Sequence, residues 1–324
     1  MADNDWLIAA YVLDGKGGGQ RLGWQEIQQW TESAGLLWVH LNFEAPEAQR
    51  WIKEESQLED VVGDALLAEE SRPRVTAFDD GLLIALRGVN LNPGADPEDM
   101  VSLRIWAEKN RIITTRRRKL LSVADLCSAI ENGKGPETSG EFLEEVADRL
   151  MVRMGGVVDE LEDKVAELEE AVLTAESHEL RPMLASIRRD AINLRRYMAP
   201  QREAIARLQS EKISWLAEED RIRLRETYDR LTRYIEDLDA ARERAAVTHE
   251  ELVSRLSEQM NNRMYVLSIV AAIFLPLGFL TGLLGINVGG IPGSAYKGAF
   301  AVFCLLLMGL VIVEIVIFKK KKWM

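Results

Sequence analysis

The chain has 324 residues, a formal charge of −12 and 47% hydrophobic residues, a length sufficient for one large or two modest domains with a real core. The acidic excess argues against nucleic acid as a partner, because phosphates reward Lys and Arg rather than carboxylates; it is compatible with a surface that attracts cations. Cys127 stands in a polar region and Cys304 in an apolar run, so they are not expected to pair, and the polar region is placed in a reducing compartment.

The first six residues hold two aspartates and no apolar h-region follows, so no secretory signal is expected and the N-terminal part is placed in the cytosol. Residues 1–140 read as a cytosolic α/β domain. β-rich runs at 36–39, 81–89, 101–107 and 111–115 alternate with helical stretches such as 45–55. That pattern predicts a sheet with helices packed on it, with the strand order left open. The GKGGG run at 15–19 lacks the ending of a phosphate loop and a following apolar helix; it reads as a flexible hairpin tip. His40, His178 and His249 are far apart and not grouped with cysteines, so no zinc site of conventional spacing and no resident cofactor is expected. The basic run at 116–119 reads as a solvated strand end. No nucleophile, base or cofactor loop can be named, so an enzyme is not expected.

Residues 141–263 read as a helical hairpin and a stalk helix. One helix covers 141–176, with a candidate interruption at Gly155 and Gly156. A second covers 180–212, with Pro200 as a kink. From Trp215 onward Ile222, Tyr228, Leu231, Ile235, Leu238, Leu252 and Leu256 recur at helical spacing, and the pattern runs without a linker into an apolar segment. A continuous helix over 215–284 would be about 100 Å long. Such a rod needs neighbours to bury its apolar stripe, either antiparallel helices or copies of itself.

Two apolar runs follow, 264–284 without a charge and 298–318 with Glu314 alone. Each has about 20 residues, the length a helix needs to cross roughly 30 Å of hydrocarbon. Arg255 and Arg263 precede the first run and Lys319 to Lys322 follow the second, while the loop 285–297 holds only Lys297. Both termini are therefore placed in the cytosol and the loop outside. Residues 319–324 form a basic cytosolic tail in which Trp323 is an interfacial anchor. Glu314 lies about one turn before the lysines; it reads as a snorkelling side chain paired with Lys, or as an ion or proton relay. Two spans per chain enclose no aqueous path, so a cyclic homo-oligomer is expected.

The first span ends in Gly282-Leu283-Leu284-Gly285-Ile286-Asn287. The stretch QMNNRMYVLSIVAAIFLPLGFLTGLLGINVGGIPG, a second span and KKKKWM resemble the CorA divalent-metal transporters, which end the first span with Gly-Met-Asn. Gly-Ile-Asn at Gly285, Ile286 and Asn287 is similar to zinc-transporting members of the ZntB type. The resemblance implies an α+β membrane protein: a cytosolic α/β domain, a helical hairpin, and a long stalk helix continuing into the first of two C-terminal transmembrane helices. It further implies a funnel-shaped pentamer in a bacterial inner membrane. An Asn287 ring would offer neutral amide oxygens to a hydrated cation, binding it weakly enough for release. By the same resemblance Asn261, Met264, Leu267, Leu275 and Gly278 line the ion path. Ala271 completes their helical stripe, and Glu250 belongs to an acidic inner vestibule. The loop 288–297 has no carboxylate and Ile286 replaces Met, which shifts the expected cargo from Mg²⁺ toward Zn²⁺ or a related ion (Co²⁺, Ni²⁺, Cd²⁺); the resemblance to the ZntB type implies proton-coupled uptake. Two alternatives stay open: a CorA-type Mg²⁺/Co²⁺ channel, and a non-transporting membrane-anchored scaffold.

Overall fold

The computed structural model describes residues 6–174, 179–285, 291, 293 and 296–321, and the chain divides into two compact units, Met1–Glu250 and Glu251–Met324. In the first unit β1 (Leu7–Leu13), β2 (Gly19–Arg21), β3 (Leu36–Asn42), β4 (Arg74–Phe78), β5 (Gly81–Gly88), β6 (Val101–Ala107) and β7 (Arg111–Arg116) build one sheet. Its order is β2-β1-β3-β7-β6-β5-β4. β3 and β7 pair in parallel and the other neighbours antiparallel. The parallel pair is covered on both faces, which explains why LLWVHLN is apolar almost throughout rather than alternating.

Opposite faces of β3 meet different layers, as the two-residue period of a strand requires. Leu37, Val39 and Leu41 join Trp51, Ile52, Val62, Leu66 and Ile113 in one buried cluster. Trp51 and Ile52 come from the wide helical turn Trp51–Glu55 that continues α2 (Pro46–Arg50), Val62 and Leu66 from α3 (Asp60–Leu67), and Ile113 from the neighbouring strand β7; Ala48 of α2 belongs to the same cluster. Trp38 points the other way, stacked on Tyr11 and edge-on to Phe142 of α5 (Ser139–Thr174), with α4 (Leu121–Glu131) and α6 (Leu180–Ser210) in the same layer. Elsewhere a short α1 (Trp24–Gln28) buries Ile27.

The predicted strands at 36–39, 81–89, 101–107 and 111–115 fall in β3, β5, β6 and β7, whereas β1, β2 and β4 are additions of the structure. The glycine run is the β1–β2 hairpin tip. There Gly15 and Gly17 adopt φ of +66° and +88°, a region that glycine enters at no steric cost. The Asp14 carboxylate accepts from the backbone N–H groups of Lys16 and Gly18 at 2.8 and 2.9 Å. The basic run is only partly a solvated end: Arg117 pairs with Glu44 at 2.7 Å and Arg118 with Asp99, but the Arg116 guanidinium turns inward to His40.

Two helical expectations need correction. α5 runs unbroken through Gly155 and Gly156; a Cβ on Gly155 would meet the Tyr234 hydroxyl, so that glycine permits close helix packing instead of ending a helix. The buried stripe of α7 (Glu218–Gly285) is set by Leu224, Leu231, Ile235, Leu238, Ala241, Ala245 and Leu252, with Ile222 exposed at 55%. Ion pairs flank it: Arg244 with Glu169 at 2.6 Å, Arg230 with Asp148 at 2.8 Å and Arg195 with Asp239 at 2.9 Å.

In the second unit the later part of α7 continues without a break through Pro276, and α8 (Ala299–Lys320) follows. Among its described residues only Leu252 and Phe318 are buried. Apolar helices that bury nothing in one chain need lipid or other copies around them. Both are long and apolar enough to cross a membrane, and neither is a covered core helix.

Candidate ion path on the long helix

Asn261, Met264, Leu267, Ala271, Leu275 and Gly278 all lie on α7 and all are exposed in the single chain. At 3.6 residues per turn they fall within an arc of about 120° on one face. Met264, Leu267 and Leu275 are 54%, 70% and 74% exposed, so the stripe is unoccupied by any side chain of its own protomer. Two hydroxyls on this stretch bond to their own helix: Ser268 donates to the Met264 carbonyl at 2.8 Å and Thr281 to the Leu277 carbonyl at 2.9 Å. That leaves a smooth, internally satisfied surface suited to apolar surroundings. Gly285 is the last residue of the helix; Ile286 and Asn287 lie outside the described residues, as do His178, Lys322 and Trp323.

Glu250, the last residue of the first unit, is exposed on α7. Glu314 sits in α8; its Oε2 is buried and meets no hydrogen-bond partner among the described residues.

The histidine nearest the sheet centre is spoken for. Arg116 Nε donates to His40 Nε2 at 3.0 Å, which puts the ring proton on Nδ1, 2.7 Å from Thr114 Oγ1. Trp38 Nε1 donates to the same hydroxyl at 2.9 Å, and Thr114 donates onward to the Val39 carbonyl at 3.3 Å. Burial, with the Arg116 charge beside it, pushes the His40 pKa down to about 3, so the ring is neutral and both nitrogens are committed. Among the described residues no group of three or more His, Cys, Asp or Glu is placed to hold a metal ion. Sequence reasoning missed this chain, and also Arg104, fully buried in β6; an arginine inside the apolar run VSLRIWA was the available signal.

Residues 33–320 match the family described as CorA-like Mg²⁺ transporter protein. Over 332 aligned positions the chain is 43% identical to the divalent cation transporter CmaX of Pseudomonas aeruginosa, covering 99% of this chain and 98% of that protein. It is 40% identical to the zinc transport protein ZntB of Pectobacterium carotovorum, covering 98% and 96%. The structure of full-length CmaX superposes with a TM-score of 0.87 at 41% identity, covering 99% of each chain. The CorA magnesium transporter of Methanocaldococcus jannaschii shares the fold, with a TM-score of 0.82 at 19% identity over 98% of this chain and 99% of that one. The long helix with its free apolar face and the match across nearly the whole length lead to one assignment: this chain belongs to the CorA family.

Proposed function

We propose that this chain carries divalent metal ions across a membrane, zinc foremost, as a homopentamer in which the apolar part of α7 from each copy surrounds the ion path. The observation that carries the reading is the stripe from Asn261 to Gly278, exposed on one face of a helix that has no charge between Met264 and Leu284. Copies meeting around an axis give that face a purpose and leave α8 toward lipid. Relatives named as zinc and divalent cation transporters, at 40% and 43% identity, support the same cargo class. Asn287 from each copy would form a neutral ring at the outer mouth. Gly285 would let the chain turn there, and Glu250 would lend the inner vestibule its negative charge. Glu314, whose buried Oε2 meets no hydrogen-bond partner among the described residues, is the candidate for proton handling in a proton-coupled uptake cycle. The protein is placed in a bacterial inner membrane with both termini in the cytosol.

The family description names Mg²⁺, which favours a second reading, a Mg²⁺/Co²⁺ channel. Flux of Zn²⁺, Mg²⁺ and Co²⁺ into liposomes holding the purified full chain, with and without a pH gradient, separates the two. Zinc flux that rises with an inward proton gradient and disappears in Asn287→Ala is the expected result. Magnesium flux indifferent to pH supports the channel. An assembled pentamer that conducts none of the three ions would leave a membrane-anchored scaffold.

A further inference from the structure

The first unit holds a cavity of about 620 Å³ between the ends of β5 and β6, the segment before β4 and one face of α6. Its lining is unlike the rest of this acidic chain: Arg72, Arg87, Arg104, Arg117, Arg118 and Arg196 against the carboxylates Glu69, Glu70 and Asp99. Several of these arginines are already employed. Arg87 donates to the Ser71 and Met100 carbonyls at 2.9 to 3.1 Å and lies over the Tyr197 ring at 4.0 Å. Arg118 grips Asp99 through both of its terminal nitrogens, and Arg117 pairs with Glu44.

Arg104 is different. It is 2% exposed, its guanidinium lies over the Phe43 ring at 4.5 Å, and its Nη2 donates to the Glu69 carbonyl at 3.0 Å. Its Nε and Nη1 meet no hydrogen-bond partner, and no carboxylate pairs with it among the described residues. A buried guanidinium with idle donors is expensive unless something accepts from them. Burial and the neighbouring Arg87 charge push its pKa down to about 10, the direction expected for a cation lacking a counter-charge. At the rim Arg72 and Arg196 are exposed and have no ion pair among the described residues.

We propose that this cavity binds a multiply charged phosphate-bearing anion, with Arg104 at its floor and Arg72 and Arg196 closing over it. The planar fork of a guanidinium matches the spacing of phosphoryl oxygens. The excess of three positive side chains in the lining suits a tri- or polyphosphate better than a singly charged ion. The volume lies within the range of small-molecule sites and exceeds what one phosphate fills. Inorganic polyphosphate and the tail of a nucleoside polyphosphate share this chemistry.

Titration calorimetry on the full chain in detergent micelles, in metal-free buffer with chelator present, tests the site with inorganic triphosphate and with a nucleoside triphosphate. The chelator removes the divalent ions that triphosphate would otherwise sequester. Saturable binding at one site per chain is expected, weakened at least about tenfold in Arg104→Met. The same weakening is expected in the doubly substituted Arg72→Ala/Arg196→Ala chain, whose exposed positions leave the core intact. Equal affinity for the two probes locates recognition in the phosphates; tighter nucleoside triphosphate binding adds a contact to the rest of the molecule, and both support the site. No saturable binding at moderate ionic strength, or unchanged affinity in the rim variant, overturns it.

Discussion

Gln201, fully buried in the middle of α6, grips the backbone of Arg87 in β5 with both ends of its amide. The Arg87 N–H donates to Gln201 Oε1 at 2.6 Å and Gln201 Nε2 donates to the Arg87 carbonyl at 3.0 Å. Opposite this point β4 has already ended, its last pair being Arg74 with Ala85. The side chain thus takes the place of a missing strand and fastens a helix to the sheet.

Removing that amide should be costly. Gln201→Ala leaves a buried N–H and carbonyl unpaired, each worth about 1–3 kcal/mol, and the melting temperature of the purified chain should fall by several degrees. Gln201→Glu should fall too, because a carboxylate cannot donate to the Arg87 carbonyl. A wild-type melting temperature in both variants would show that the pair is incidental.

His40 makes the first unit sensitive to acid. Its pKa is about 3 in the folded protein against the ordinary 6.5 of a histidine in water. Between those values the unfolded chain binds a proton that the native ring refuses. Stability is therefore complete above pH 6.5 and is lost as pH falls toward 3, by about 1.4 kcal/mol per pH unit. Thermal melts of wild type and His40→Gln at pH 7, 5.5 and 4 should diverge in slope, the variant lacking this component; parallel curves would mean the ring protonates without cost.

The adjacent glycines of α5 should respond with opposite signs. A Cβ at Gly156 meets nothing within 4 Å, whereas at Gly155 it meets Tyr234. Gly156→Ala should stabilise by up to about 1 kcal/mol through helix propensity. Gly155→Ala should destabilise, because the Tyr234 ring must leave its seat to admit the methyl group. Equal shifts in the two melting temperatures would contradict the packing account.

The stripe on α7 can be probed where it is most apolar. If Leu275 from each copy narrows the ion path, Leu275→Ser hydrates the constriction and should raise zinc flux into liposomes several-fold. A flux equal to wild type, in a variant that still assembles, would place this face against neighbouring helices or lipid.

Much of this organisation was legible in the residues. The apolar runs announce themselves because about 20 uninterrupted nonpolar side chains are incompatible with water in any fold, and α7 and α8 cover them. β3, β5 and β6 stand out as runs rich in Leu, Ile, Val and Trp, and β7 as a β-branched run. β2 is only three residues long, and β4 is half-exposed; such segments take strand form because a neighbour pairs with them, not from their own pattern. Gly155 and Gly156 show the limit of local reading, since the same residue type serves a helix break or a close helix contact according to what lies opposite. Of the candidate site, Asn261, Met264, Leu267, Leu275 and Gly278 come from the resemblance and helical spacing adds Ala271, while the buried Oε2 of Glu314 was not legible, because side-chain burial depends on geometry that a sequence leaves free.

Sequence by itself determined the lengths of the two apolar runs, their basic flanks and the Gly285-Ile286-Asn287 motif, all properties of neighbouring residues along the chain. Tertiary structure alone decided the parallel pairing of β3 with β7, the neutral state of His40 beneath Arg116, the seat of Gln201 on Arg87 and the unpaired guanidinium of Arg104. Each of those joins residues separated by tens of positions, or depends on groups so separated. Their energies come from desolvation and hydrogen-bond geometry that exist only once the chain has closed around them.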